Sequence, residues 1–133
     1  MVKQVIVIRK DLKMRRGKEI AQGAHASMAF LSNLVRNYLD GLSGYPGTQD
    51  ELILSKEQEA WIMGLFKKVV VKVHSEQELM DVAEKAKEKG LHCDVITDAG
   101  LTEFGGESTR TCLAIGPDEA HKIDEVTGHL ELY

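Results

Sequence analysis

Lys18, Gln22 and His25 follow Gly17 at spacings of four and three residues, so a helix opening there would set all three along one face. An ammonium, an amide and an imidazole sharing a groove can hold a phosphate, steady a developing oxyanion or take up a proton. Lys18 as a plain exposed lysine and His25 as a packed or capping residue beside Ala24 and Ala26 are the alternatives. Asp98 is the second focus. It directly follows the apolar run Cys93 to Thr97 and precedes Ala99-Gly100, so a strand end would present its carboxylate to a cleft, where it orients or deprotonates water. The same position also suits an Asx-turn that caps the loop. Thr102, Ser108, Thr109 and Thr111 add hydroxyls able to bind water, ribose or phosphate.

What the chain lacks narrows the chemistry. Neither G-x-x-x-x-G-K-[ST] nor G-x-G-x-x-G occurs, so nucleotide hydrolysis and dinucleotide binding have no phosphate cradle. There is no G-x-S-x-G elbow. Cys93 and Cys112 stand outside any C-x-x-C pair and are expected as reduced thiols in the core. His74, His92, His121 and His129 are scattered without metal-ligand spacing, so no metal is expected. The remaining set of Lys, Asp, Thr and His suits the activation of water without metal or covalent intermediate.

These groups sit on an uneven charge distribution. The 133-residue chain carries a net charge of -4, yet its first eighteen residues hold Lys3, Arg9, Lys10, Lys13, Arg15, Arg16 and Lys18 against Asp11 alone. That segment is +6 and the other 115 residues carry -10. A short basic patch on an acidic body suits contact with a few phosphates, whereas a protein that coats long nucleic acid is basic over a larger face. At 43% apolar and 29% charged residues, the composition predicts one packed domain over 1–133 and excludes a disordered chain. No apolar run approaches the roughly 20 residues that cross a bilayer, and no secretory signal precedes the first strand. The expectation is a cytoplasmic protein without membrane contact.

Periodicity supplies the elements that must position the site. Gln4 to Arg9 reads as a strand buried on both faces. Ile20, Ala24, Met28, Leu31 and Val35 predict the apolar face of a helix from Lys18 to about Leu39. The loop between them crowds basic side chains at a helix N-terminus, where unpaired N–H groups and the dipole already favour an anion. Asp40 to Asp50 is Gly-rich and reads as a loop. Ser55 with Gln58 has capping-box spacing for a second helix that packs Trp61, Ile62 and Leu65. Lys68 to Val73 is a strand. Ser75 with Glu78, then Leu79, Val82, Ala83 and Ala86, then Gly90, predict a third helix. Strands follow at Leu91 to Thr97 and Thr111 to Ile115, and Pro117 is expected at N1 of a last helix closed by Gly128. The order β-α-α-β-α-β-β-α predicts a single three-layer α/β/α domain, its four-stranded mixed sheet containing one antiparallel pairing. Ligands gather at the C-terminal ends of the parallel strands in such sheets, which picks out the loops Lys10 to Lys18 and Asp98 to Arg110.

Six ordered blocks carry a resemblance. They are Val7 to Met14, Gly17-Lys18 with Ala21-Gln22 and His25-Ala26, Lys68 to Lys72, Asp98 to Thr102, Thr111 to Pro117, and Ile123 to Leu130. Together the chain resembles the type II peptidyl-tRNA hydrolase family over nearly its whole length apart from about 36–66. The resemblance implies a four-stranded mixed sheet, a homodimer, and hydrolysis of the ester joining a peptide to the 3′ end of tRNA, with no cofactor and no DNA partner. It places catalytic roles on Lys18, Asp98 and Thr111, with Gln22, His25 and Thr102 in or near the site; the basic Lys10, Lys13, Arg15 and Arg16 are expected to grip RNA. Two departures stand out. The segment between His25 and the Lys68 strand is long, with Leu65-Phe66-Lys67 where a Gln-Pro-like turn often stands, and the loop after Asp98 is slightly long, which leaves Thr109 as an alternative to Thr111. A non-catalytic adaptor that binds RNA or protein on the same groove is the second reading, and hydrolysis of a small N-acyl amino-acid ester without tRNA is the third.

Overall fold

The computed structural model describes residues 1–47, 51–100 and 103–133. Its elements are β1 (Val2–Arg9), α1 (Arg16–Leu42), α2 (Lys56–Met63), β2 (Lys68–Val73), α3 (Glu76–Glu88), β3 (Cys93–Asp98), β4 (Thr109–Glu119) and α4 (Ala120–Thr127), in the expected order. The sheet runs β2-β1-β4-β3. β1 pairs with β2 in parallel, while β4 lies between β1 and β3 and is antiparallel to both. The sheet is mixed as expected, but with two antiparallel pairings instead of one, because the reversed strand is central and not at an edge.

Strict alternation along β1 divides the core in two. Val5 and Val7 join Leu79, Val82 and Ala86 of α3 and Ile123 and Val126 of α4 on one face. Ile6 and Ile8 meet Ala26 and Ala29 of α1 on the other, together with Ile96, Cys112 and Ala114. α2 adds the buried Trp61 on the α1 side, edge-on to Phe30 with ring centroids 5.8 Å apart. Ser55 caps α2 with a full capping box, and Ser75 caps α3 through the Glu78 N–H. Gly90 follows α3 with φ +72°, the left-handed geometry that its helix end requires.

Four expectations are corrected. First, α1 turns a different face inward: Gln22, Gly23, Ala26, Ser27, Ala29 and Phe30 are buried, whereas Ile20 is 66% and Met28 60% exposed. Mostly small residues on the inner face let the helix lie close to the strands; a Cβ on Gly23 would stand 3.8 Å from Ile8 Cδ1. Second, Leu65 is 86% exposed and does not pack with Trp61. Third, Pro117 lies within β4, joined to Gly116 by a cis peptide bond, and α4 opens at Ala120. The β1–β4 register shifts between the Lys3–Asp118 and Val5–Ile115 pairs, so Pro117 occupies an irregularity where the missing N–H breaks no regular ladder. Fourth, α1 runs on to Leu42, into the stretch expected as loop. Among the described residues no helix is long and apolar enough to cross a membrane.

Candidate active site

The site forms where the N-terminal part of α1 crosses the end of β3 and the start of β4. A buried pair sets the helix on the sheet further along: Ser27 Oγ donates to Gln4 Oε1 at 2.5 Å, and Gln4 Nε2 donates to the Ser27 carbonyl at 3.0 Å. One turn or more earlier, Lys18 and Gln22 project over the strand ends. Lys18 Nζ donates to Asp98 Oδ1 at 2.8 Å, and Gln22 Nε2 reaches the same oxygen at 3.4 Å. Asp98 Oδ2 accepts the Gly100 N–H at 2.8 Å. The Asx-turn and the carboxylate's contact with Lys18 and Gln22 are therefore one arrangement, not alternatives. Position 100 admits only glycine, since φ is +81° and a Cβ would lie 2.0 Å from the Glu107 carbonyl oxygen.

Thr111 reaches this cluster because β4 carries an extra residue. Ile96 opposes Cys112 and Thr97 opposes Arg110, so Thr111 is the unpaired residue of a bulge. Bulges re-aim side chains, and here two successive residues face α1. The Thr111 hydroxyl lies 2.5 Å from Gln22 Oε1 and 3.6 Å from Cys112 Sγ, and the Cys112 thiol donates to the Gln22 carbonyl at 3.4 Å. Thr111 is 0% exposed. Thr109 instead donates to the Glu107 carbonyl. Of the two threonines, it is Thr111 that the fold brings to Gln22.

The electrostatics favour a permanent carboxylate. The hydrogen bond from Lys18 holds Asp98 below the ordinary aspartate range, with the Gly100 N–H and the Lys18 charge acting the same way against partial burial. Burial pushes Cys93 up to about 12 and Cys112 up to about 11, so neither is a thiolate nucleophile near neutral pH. Both cysteines are free thiols, Cys112 buried and Cys93 partly so. Among the described residues no group of three or more His, Cys, Asp or Glu side chains gathers to hold a metal ion.

The remaining expected residues separate. His25 is exposed, and among the described residues it makes no hydrogen bond to Lys18, Gln22 or Asp98. Thr102 lies outside the described residues. Lys10, Lys13, Arg15 and Arg16 are all exposed between the end of β1 and the first turn of α1. Two residues of the site were not anticipated from the sequence. Glu103 accepts the Arg15 N–H at 3.3 Å and lies 3.9 Å from the Arg15 guanidinium, while the Phe104 ring centre stands 5.7 Å from Lys18 Nζ. An aromatic and an acid inside a polar, glycine-rich loop are the only local signal for either.

A fixed carboxylate with an ammonium and an amide beside it, at the mouth of an α/β sheet with a basic rim, is the equipment of a hydrolase that works through water. The family described as Peptidyl-tRNA hydrolase PTH2 matches residues 2–133. A peptidyl-tRNA hydrolase of Methanocaldococcus jannaschii is 44% identical over 131 residues, covering 98% of this chain and 99% of the relative. Those of Nanoarchaeum equitans and Methanopyrus kandleri are each 44% identical over 133 residues, with 100% of both chains covered in the first case and 99% and 98% in the second. The chain belongs to the peptidyl-tRNA hydrolase PTH2 family.

Proposed function

We propose that this protein hydrolyses the ester between a peptide and the 3′-terminal ribose of tRNA, acting in the cytoplasm as one unit over residues 1–133. The observation that carries the reading is the Lys18–Gln22–Asp98 cluster at the strand ends, set in the first two turns of α1 beside its basic N-terminus. Among the described residues Asp98 Oδ1 accepts two donors, whereas Oδ2 accepts the Gly100 N–H and has a lone pair for water. Because its pKa is depressed, Asp98 is a weak base. It orients the water and takes its proton as the new C–O bond forms, then passes that proton to the departing ribose oxygen as the old C–O bond breaks. Lys18 lies where its ammonium stabilises the tetrahedral oxyanion. Lys10, Lys13, Arg15 and Arg16 bind the phosphates that lead to the scissile bond.

We infer that two copies associate through the outer side of α1. Residues 20–35 contain no Asp, Glu, Lys or Arg, although Ile20, Met28 and Val35 are exposed. Ile20 and Met28 form one wall of a trough of about 910 Å³ lined also by Leu31, Trp61, Phe66 and Val70 among others. A contiguous apolar face of this kind is covered in a stable protein, and a ridge next to a trough is the self-complementary shape that a two-fold axis requires. Met28→Glu is expected to shift the mass measured by light scattering from twice that of the chain to that of one chain; an unchanged mass removes the pairing.

The decisive experiment is single-turnover cleavage of an N-blocked aminoacyl-tRNA with chelator present. Release of free tRNA supports the hydrolase. Protection of the ester without cleavage supports the adaptor, and equal hydrolysis of an N-acyl amino-acid ester lacking RNA supports the small-ester reading.

A further inference from the structure

The amide of Gln22 has two possible orientations, and its neighbours leave one. Its outer end faces the Asp98 carboxylate, which accepts hydrogen bonds and donates none when ionised, so Nε2 must lie there and Oε1 must point back into the core. Behind it, with no exposed surface, stands Thr111. A hydroxyl has one proton, and at 2.5 Å it goes to Gln22 Oε1. A threonine so placed has neither a surface for the substrate nor a proton left for an oxyanion. What it does have is the bulge that aims it at the inner end of the amide.

We propose that Thr111 is a positioning residue whose hydroxyl locks the Gln22 amide with its N–H toward Asp98, making a three-residue relay from β4 through α1 to the carboxylate that holds the water. The relay rests on the hydrolytic reading of the site and adds to it a reason for a buried alcohol. Without the hydroxyl, the amide is free to turn its oxygen toward the carboxylate, where the two acceptors repel and Asp98 shifts against Lys18, the one charged side chain that the described residues bring to it.

The test compares Thr111→Val, Thr111→Ser and a double-mutant cycle with Gln22→Met, using cleavage of N-blocked aminoacyl-tRNA and titration of the Asp98 carboxyl carbon by NMR. Thr111→Val is expected to lower kcat on the order of 10- to 100-fold with little change in KM, as displacement of a reacting group by a fraction of an ångström does. Thr111→Ser restores most of that loss. In the Gln22→Met background Thr111→Val has no further effect, because nothing remains to be locked. The Asp98 midpoint rises in Thr111→Val and stays low in Thr111→Ser. Equal losses for Val and Ser in folded protein, or an undiminished effect in the Gln22→Met background, overturn the relay. The titration separates the two levels: if the wild type cleaves nothing, the hydrolytic reading fails, while the Asp98 midpoints still decide whether Thr111 acts through Gln22.

Discussion

Two glutamines lie between α1 and the central strands, and each clasps a hydroxyl at 2.5 Å. Gln4 and Ser27 close on each other: the amide oxygen takes the Ser27 proton, and the amide nitrogen goes to the Ser27 carbonyl. Gln22 and Thr111 begin the same way, but the amide nitrogen leaves the pair and reaches Asp98. The first pair closes on itself and fastens helix to strand. The second has a donor to spare, which goes to the part-buried Asp98 carboxylate. Identical chemistry, 18 residues apart in the two glutamines, serves the fold in one case and the site in the other.

The contrast is sharpest at Asp98, where the outer glutamine ends. Asp98→Asn is expected to lower single-turnover cleavage by about 10²–10⁴-fold, with retention of tRNA measured by filter binding nearly unchanged; undiminished cleavage would remove Asp98 from the reaction and make the two glutamines equivalent. Ser27→Ala addresses the inner pair. It leaves the Gln4 oxygen buried without a donor and is expected to cost about 1–3 kcal/mol in urea unfolding, while kcat of the folded protein stays at the wild-type value. A fall in kcat would mean that the two pairs are coupled along α1. Arg15→Ala with Arg16→Ala acts outside both pairs: KM rises several-fold, and the slope of log KM against log salt flattens by about one unit per lost phosphate contact, whereas an unaltered slope assigns these arginines to ordinary solvated surface.

Smallest is the effect of acid. A carboxylate whose native pKa is depressed contributes stability that is present above its unfolded value and is lost as pH falls through the native one. For Asp98 that window lies below pH 3.8. The acid limb of kcat is therefore expected below the ordinary carboxylate range. A limb near neutrality would point instead to an imidazole, and His25 would return as a candidate.

How far these features were legible in the chain depends on how local their causes are. α3 was fully visible, because Ser75, the 3.6-residue period and Gly90 all act within one segment. Lys18 and Gln22 were visible as a helical spacing, and Asp98 as a carboxylate at the end of a strand. Thr111 rested on a resemblance, since the bulge that turns it toward Gln22 arises only when β3 and β4 pair. The inward face of α1 is not legible in the chain for a related reason. Burial there follows how closely the helix can approach the sheet, which selects Gly23, Ala26 and Ala29 over the larger Ile20 and Met28. Pro117 has the local dress of a helix start, and only the register of β1 against β4 shows it to be strand. Glu103 and Phe104 obey no period, so nothing short of the folded loop brings them to Arg15 and Lys18.

The unpaired residue in β4 also fixes where the chain can change length. Upstream of it, a residue gained or lost between Gly105 and Ser108 leaves the pairing of Ile96 with Cys112 untouched, although it moves the Glu107 carbonyl that closes on Gly100. Downstream, the same change between Cys112 and Ile115 would turn the strand residues on one side of it toward the opposite core, because Leu113 belongs to the α3 side and Ala114 to the α1 side. Thr111 thus marks the boundary between the loop and the part of β4 whose register both cores depend on.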